Sequence, residues 1–199
     1  DKEVANYSTF YECIDNVEVK TPLVPLIRES HPRIYFDSFD ELRVKINSDV
    51  LAGKWYKTLK DYADSLLQTV PEDYLPVNNI LTLQSRRIMY KLYVLSFVYG
   101  IEEDVAYKER AMAEIRMAGT FPSWHPNNFL GTAELTNGIS VAYDWMYNGL
   151  TSEEREEIED IIINNGIFHG VESYEGIANA FFTTAESNWN VVCNGGLLT

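Results

Sequence analysis

Cysteine is almost missing from this chain: Cys13 and Cys193 are the only two in 199 residues. Two thiols cannot build a disulfide framework or a four-ligand zinc site, and both are read as buried structural thiols. Basic residues are also scarce, 16 Lys+Arg against 30 Asp+Glu, for a formal charge of −14. Phosphate binding needs a clustered basic surface that releases counterions, so this balance argues against nucleic acid as the main partner. No apolar run reaches the length of a membrane span. No phosphate-cradling glycine loop, metalloprotease helix motif or nucleophile elbow occurs. His31, His125 and His169 show no ligand spacing with cysteines or carboxylates, so neither a metal nor a cofactor is expected. No initiator methionine or apolar leader precedes Asp1, and the expectation is a mature periplasmic or secreted protein whose export signal has been removed.

What the chain does have is 46% hydrophobic and 13% aromatic residues, a globular composition, at a length that suits one domain. Residues 1–36 read as an extended arm, because Pro22, Pro25 and Pro32 are spaced too closely for a helix. Residues 37–199 change to a helical period. Ser38 with Glu41 forms a capping box for a segment closing near Gly53. The next segment places Trp55, Leu59, Tyr62, Leu66 and Val70 on one face that should pack against a partner surface, until Pro71 stops it. From Asn79 to Gly100, Ile80, Leu83, Ile88, Leu92, Leu95 and Val98 spread over much of the circumference, as in a helix buried on several sides. Glu103 to Gly119 is the next helix.

Residues 121–128, with Pro122 and Pro126, cannot be helical and read as a working loop. Thr132 then caps a helix through Tyr147 and Gly149, and Thr151 with Glu154 opens another that ends near Gly166. Val171 to Phe182 is a shorter helix. About seven helices and no strand pair, joined by short turns, predict an all-α array of antiparallel hairpins. The apolar stretch Val191 to Leu198 looks like the start of another buried segment, which suggests the N-terminal part of a larger protein.

The chemistry-bearing residues are aromatics and amides: Trp124, His125, Asn127 and Asn128 in the loop, then Ser187, Asn188, Trp189, Asn190 and Asn194. An aromatic face stacks on the apolar side of a sugar ring, while amides offer donor and acceptor to hydroxyls or a carboxylate. The same residues can equally be core indoles and turn or capping asparagines. Arg86 and Arg87, the only adjacent arginines, read as a solvated helix face.

The block from Ser123 through Trp124, His125, Pro126, Asn127, Asn128, Phe129, Leu130, Gly131, Thr132, Ala133, Glu134 and Leu135, continuing to Asp144, Trp145 and Arg155, resembles the helical domain of the heparinase II/III-like polysaccharide lyases. His31, Pro32, Arg33, Ile34, Tyr35, Phe36 resembles the segment opening that domain. Asn188, Trp189, Asn190, Val191, Val192, Cys193, Asn194, Gly195, Gly196 resembles its amide-rich motif. Three matches in order span roughly His31 to Gly196.

The resemblance implies an incomplete (α/α) toroid over residues 37–199 and a cleft at its mouth that takes an acidic polysaccharide. It also implies β-elimination beside a uronic acid, where an amide or imidazole neutralises the uronate carboxylate and a tyrosine moves protons. A preorganised donor at such a developing charge is worth about 3–4 kcal/mol by analogy with oxyanion holes. Asn188 or Asn190 is the expected neutraliser, with Trp124, His125, Glu134 and Trp189 lining sugar subsites. The family's catalytic tyrosine and second histidine are expected beyond Thr199. The substrate implied is of the heparin/heparan sulfate or alginate type, and the acidic charge leaves room for a less sulfated polymer such as alginate or for basic residues in the rest of the protein. A non-catalytic glycan-binding module is the alternative, and a glycoside hydrolase a third reading, although Glu134 and Asp144, its candidate carboxylates, do not share a helix face.

Overall fold

The computed structural model describes residues 28–77, 80–178 and 181–199. The compact unit His31–Thr199 holds all of the described helices. Most of the arm expected over residues 1–36, with Cys13, lies outside the described residues. The described residues form an all-α fold, their nearest approach to a strand being an isolated antiparallel bridge between Val77 and Ile80.

The helices are α1 Phe39–Ser48, α2 Val50–Leu66, α3 Thr82–Glu102, α4 Val105–Gly119, α5 Leu130–Met146, α6 Ser152–Ile162, α7 Phe168–Tyr174, α8 Phe181–Thr184 and α9 Asn188–Leu198. None of them is long and apolar enough to cross a membrane.

Local chemistry sets the boundaries. Ser38 accepts from the amides of Asp40 and Glu41 and starts α1. The break before α2 falls at Asp49, earlier than the expected stop at Gly53. Its amide closes α1 on Lys45 O, and its carboxylate accepts from the amides of Leu51 and Ala52 to open α2. The Thr151 and Glu154 capping box of α6 is present in both halves. Thr132 is not a cap. The chain turns at Phe129, whose φ of 62° is left-handed, so α5 starts earlier at Leu130, and buried Thr132 donates to Trp124 O at 2.9 Å. Gly166 does not end its helix either, because a π turn, Ile163–Ile167, carries α6 on into α7. There the absent side chain leaves room for Thr136 of α5. The single helix expected over Val171 to Phe182 is two pieces, α7 and α8.

Cross-helix contacts define two layers. Thr82 meets Asn128 just ahead of α5, Arg86 meets Glu134, Gly138 meets Met89 and Phe97 meets Trp145, so α3 and α5 run parallel. Trp189 meets Asn128, Gly196 meets Ala133 and Thr199 meets Asn137, so α9 runs parallel to α5 on its other side. In the second layer Lys60 and Asp64 of α2 reach Tyr107 of α4, and Arg110 of α4 reaches Leu66 O. Lys108, Arg116 and Gly119 of α4 in turn meet Glu154, Glu157 and Ile161 of α6. The core lies between the layers, around Ile88, Leu92, Leu95, Met112, Ile115, Leu135, Ile139, Met146 and Ile158.

Of the stripe expected on α2, only Leu66 reaches the core, and Leu59 and Val70 are exposed along with the residues that follow. Ala63 and Leu66 are buried, but Trp55 is 64% exposed and Tyr62 45%. The helix packs through the adjacent side, where Tyr56 meets Phe97 of α3. Leu83 and Ile80, expected in the core, are exposed too, as are Val191 and Leu198 of α9.

Beneath the 67–77 segment sits a buried ionic network. Arg110 donates to the carbonyls of Leu66, Thr69 and Val70 and pairs with Glu114 at 2.8 Å. Glu114, fully buried, accepts the amide of Glu72, whose carboxylate pairs with Lys91.

Two glycines permit the close approach within the first layer. A Cβ on Gly138 would lie 2.8 Å from Met89 Cα, and one on Gly196 would lie 2.4 Å from Ala133 O, backbone atoms that cannot swing aside. Gly138→Ala should cost about 1–3 kcal/mol of overpacking against a helix-propensity gain of about 1 kcal/mol. The expected net result is a melting temperature lower by several degrees. Gly195→Ala, with nothing within 4 Å of its new methyl, should leave stability unchanged or slightly raised. Thermal denaturation of both variants checks the pair, and a Gly138→Ala protein melting at or above wild type contradicts the close packing.

Candidate functional site

The residues singled out in sequence gather at the ends of α3, α5 and α9 where these helices begin. Asn128 is the hinge of the group. Its backbone carbonyl accepts Trp189 Nε1 at 2.9 Å, and its side chain lies 3.5 Å from Thr82 Oγ1. One loop residue thereby ties α9 to α3.

One turn along α3 from Thr82, Arg86 directs its guanidinium onto Glu134 of α5, with Nε at 2.9 Å and a second nitrogen at 2.5 Å from Oε1. Glu134 is 6% exposed, and its other oxygen accepts Ser85 Oγ at 3.0 Å. Arg86, at 43% exposure, keeps part of its surface in solvent. Glu134 therefore acts as a fixed counter-charge that orients Arg86 and presents no carboxylate of its own. Beneath it, burial and the Glu134 carboxylate push the Cys193 thiol up to about 12, so this sulfur stays protonated and unreactive.

Further along α3 the row continues with Tyr90 and Tyr93. Tyr93 donates to Asn137 of α5, which donates to Thr199 at 2.7 Å. Burial, with neighbouring Tyr35 and Tyr90, raises the Tyr93 hydroxyl well above the ordinary phenol value and keeps it protonated. Thr82 to Tyr93 spans 11 residues, about 16 Å of helix.

The expected site residues divide as follows. Trp124 is 1% exposed with its Nε1 bonded to Ala118 O at 2.9 Å, so its indole belongs to the core and has no face for a sugar. His125 is half-buried with a left-handed φ of 59°, and its Nε2 lies 2.6 Å from Tyr74 Oη. A phenol this close to an imidazole nitrogen can pass a proton, and a strained non-glycine backbone is often kept where geometry serves a function. Trp189 is half-buried and edge-on to Phe181, with its N–H engaged as above. Asn190 spends both amide hydrogens on the carbonyls of Phe182 and Thr183, where it fastens α8 to α9. Asn188, at the first turn of α9, is exposed. Of the two candidate neutralisers, Asn188 is thus the one with its amide in solvent.

Sequence reading missed Arg86, which it placed on a solvated face, and Tyr74 and Tyr93. For Arg86 and Tyr93 the available signal was the spacing of Thr82, Arg86, Tyr90 and Tyr93 along one ridge of the helix. Arg87, by contrast, pairs with Glu72.

Asp144, the second carboxylate of the hydrolase reading, is spent on the segment that opens the compact unit. It accepts the amides of Arg33 and Ile34, both at 2.9 Å, and lies 2.6 Å from His31 Nδ1. A cleft of about 510 Å³ opens beside this anchor, lined by His31, Phe39, Arg43, Tyr99 and Trp145. Its cation is already taken, because Arg43 binds Asp40, Glu103 and the carbonyls of Gly100 and Ile101.

No family model matches this chain, and no curated protein matches it either.

His31 gives a pH prediction. Burial lowers its pKa from 6.5, against the opposing hydrogen bond to Asp144. The unfolded chain then binds a proton in the window just below pH 6.5 where the folded chain does not, so stability falls as pH drops through that window and is fully present above it. His31→Asn, which retains a donor near the Nδ1 position, should flatten the pH dependence of urea midpoints between pH 7 and 5. An unchanged slope in the variant contradicts the assignment.

Proposed function

We propose that this chain is the helical substrate-binding part of a polysaccharide lyase that cleaves a uronic-acid-containing polymer by β-elimination, and that its two helix layers are part of an (α/α) toroid. The observation that carries the reading is the Arg86 guanidinium, clamped by buried Glu134 yet partly open to solvent, in a group with Asn128 and Trp189. A uronate offers a planar carboxylate to a guanidinium and an apolar ring face to an indole, and this group supplies both partners. The ridge from Thr82 to Tyr93 provides length for more than one sugar ring. The alternation of parallel helices between two layers is the arrangement a toroid of helical hairpins requires.

In this reading the proton at C5 of the uronate becomes removable when charge accumulating on the carboxylate is held by fixed donors. Arg86 supplies a charged donor that Glu134 keeps in place. The exposed amide of Asn188 supplies a neutral one that does not compete for the proton. The Arg86–Glu134 pair is locally neutral, and the chain as a whole carries −14, so long-range attraction to a polyanion is absent. Screening beyond about 8 Å at physiological salt limits the repulsion. A polymer bearing carboxylates without dense sulfation, alginate above heparin, fits this balance best. A hydrolase is less well supported, because Glu134 and Asp144 are both engaged in internal contacts.

Incubation of the whole lyase of which this chain is the proposed helical part, and separately of this chain alone, with alginate, hyaluronan, chondroitin and heparan sulfate, followed by ultraviolet absorbance, reads out the unsaturated uronate that elimination alone creates. Absorbance should rise with the whole lyase, most with the least sulfated polymers. Asn188→Ala should lower the rate by about 100-fold or more if the amide acts like one oxyanion-hole donor, with an unchanged melting temperature because the side chain is exposed. Reducing ends without absorbance point to hydrolysis. Retardation in a polymer-containing gel with neither product points to a binding module.

A further inference from the structure

Tyr35 holds a left-handed backbone, φ 71°, and its side chain is 70% exposed. An aromatic residue in that region is strained, and the strain persists only where the surroundings fix the backbone. Here they fix it on both sides. Asp144 accepts the amides of Arg33 and Ile34, Trp145 Nε1 donates to Ile34 O at 3.1 Å, and Phe36 packs against Phe39, Phe97 and Trp145. None of these contacts uses the Tyr35 ring, and glycine would follow the same path without strain. Phe129 is left-handed too, but its ring is buried against Phe182, so packing accounts for it. No such burial accounts for Tyr35. A strained residue whose ring the fold leaves in solvent points to a use for that ring outside the fold.

The surroundings of the phenol define that use. It meets Tyr93 of α3, close enough for the two hydroxyls to hydrogen-bond, and sits edge-on with Trp145, ring centroids 6.3 Å apart. Tyr93 ends the row that begins at Thr82 and passes Arg86 and Tyr90, the last 53% exposed. The next turn of α3 carries Phe97, on which Phe36 and Phe39 pack. Tyr35 therefore stands where the open row stops. Arg86 and Tyr93 lie seven residues apart on one face, about 10 Å along the helix, further than a single sugar ring extends.

We propose that Tyr35 is a sugar-stacking residue, the terminal subsite of the Thr82–Tyr93 ridge, which takes a ring of a uronate oligomer beyond the ring whose carboxylate faces Arg86. The subsite rests on that ridge being the polymer's track, as the proposed function has it. A phenol offers a flat surface to the apolar face of a pyranose, and a hydroxyl tied to Tyr93 limits the rotation of the ring before the sugar arrives. Stacking also suits a chain of charge −14 with only 16 basic residues, because it holds a further ring of an acidic polymer without a further cation.

Calorimetric titration of this chain with saturated alginate disaccharide and hexasaccharide tests the subsite. Wild type should bind the hexasaccharide more tightly. Tyr35→Gly should weaken the hexasaccharide about tenfold or more, as for loss of an aromatic anchor, and leave the disaccharide unchanged. Tyr35→Phe and Tyr35→Trp should retain most of the hexasaccharide affinity, because an aromatic face remains. Tyr35→Gly should also melt above Tyr35→Ala, since glycine alone relieves the left-handed backbone, and this separates lost affinity from lost folding. Arg86→Gln, whose amide can still donate to Glu134, should weaken both oligomers and tests the track itself.

A loss in Arg86→Gln with Tyr35→Gly indistinguishable from wild type overturns the subsite and leaves the track standing. A length-dependent loss in Tyr35→Gly, with no β-elimination by the whole lyase, leaves the subsite standing and overturns the lyase. Equal affinity for both oligomers, no binding of either, or Tyr35→Gly melting below Tyr35→Ala overturns the subsite.

Discussion

The burial of α5 is the constraint on which the rest of the structure depends. Thirteen of its seventeen residues are buried, so every polar group on it needs a protein partner. Thr136 finds its partner inside the helix, on Thr132 O, and the others reach into the loop, the neighbouring helices and the opening segment. Thr132 binds the carbonyl of Trp124 and fixes the loop ahead of the helix. Glu134 takes Ser85 and Arg86 of α3, and Asn137 joins Tyr93 of α3 to Thr199 beyond α9. Asp144 gathers the backbone of Arg33 and Ile34. A helix that had only apolar side chains at these positions would pack, but it would specify neither the register of α3 and α9 nor the seat of the opening segment. The candidate site is a by-product of the same demand: Arg86 is held where it is because Glu134 could not be left buried alone.

The Arg110–Glu114 pair poses the same problem elsewhere and solves it by a different route. Glu114 is fully buried, and a lone carboxylate there would cost several kcal/mol. Arg110 and the amide of Glu72 answer it, and Arg110 also collects three carbonyls from the segment that leaves α2. A stretch with no helix of its own is thereby fastened by one side chain. The segment 67–77 can then return the chain to the start of α3, and the expectation that Pro71 ends helical structure is compatible with an ordered path after it.

What could be read in the sequence follows the range of the interactions involved. The Thr151–Glu154 capping box and the non-helical stretch at 121–128 depend on residues within a few positions of one another, and both are present in the structure. Failures came where distant partners decide. Trp124 looks like a ligand platform in a loop, yet Ala118 and the core claim it. The α2 stripe has a core-like period, but of its members only Leu66 reaches the core, while Trp55 and Tyr62 stay exposed. Asn188 and Asn190 are indistinguishable by spacing and are separated only by the carbonyls of α8, which engage one of them. Arg86 is partly solvated as its position suggests, but its pairing with Glu134, 48 positions away, could not be read locally.

The parallel run of α3, α5 and α9 has an electrical consequence. Each helix carries a macrodipole with its positive pole at the N-terminus, and here three such poles lie at the same rim. None of the three starts is neutralised by a side-chain cap, whereas α1, α2, α4 and α6 begin on Ser38, Asp49, Asp104 and Thr151. The local potential at that rim is therefore more positive than the formal charge of the chain suggests, and it falls off within about one turn of helix. A protein that repels anions at long range can thus present, over a few ångströms, a surface of the opposite sense.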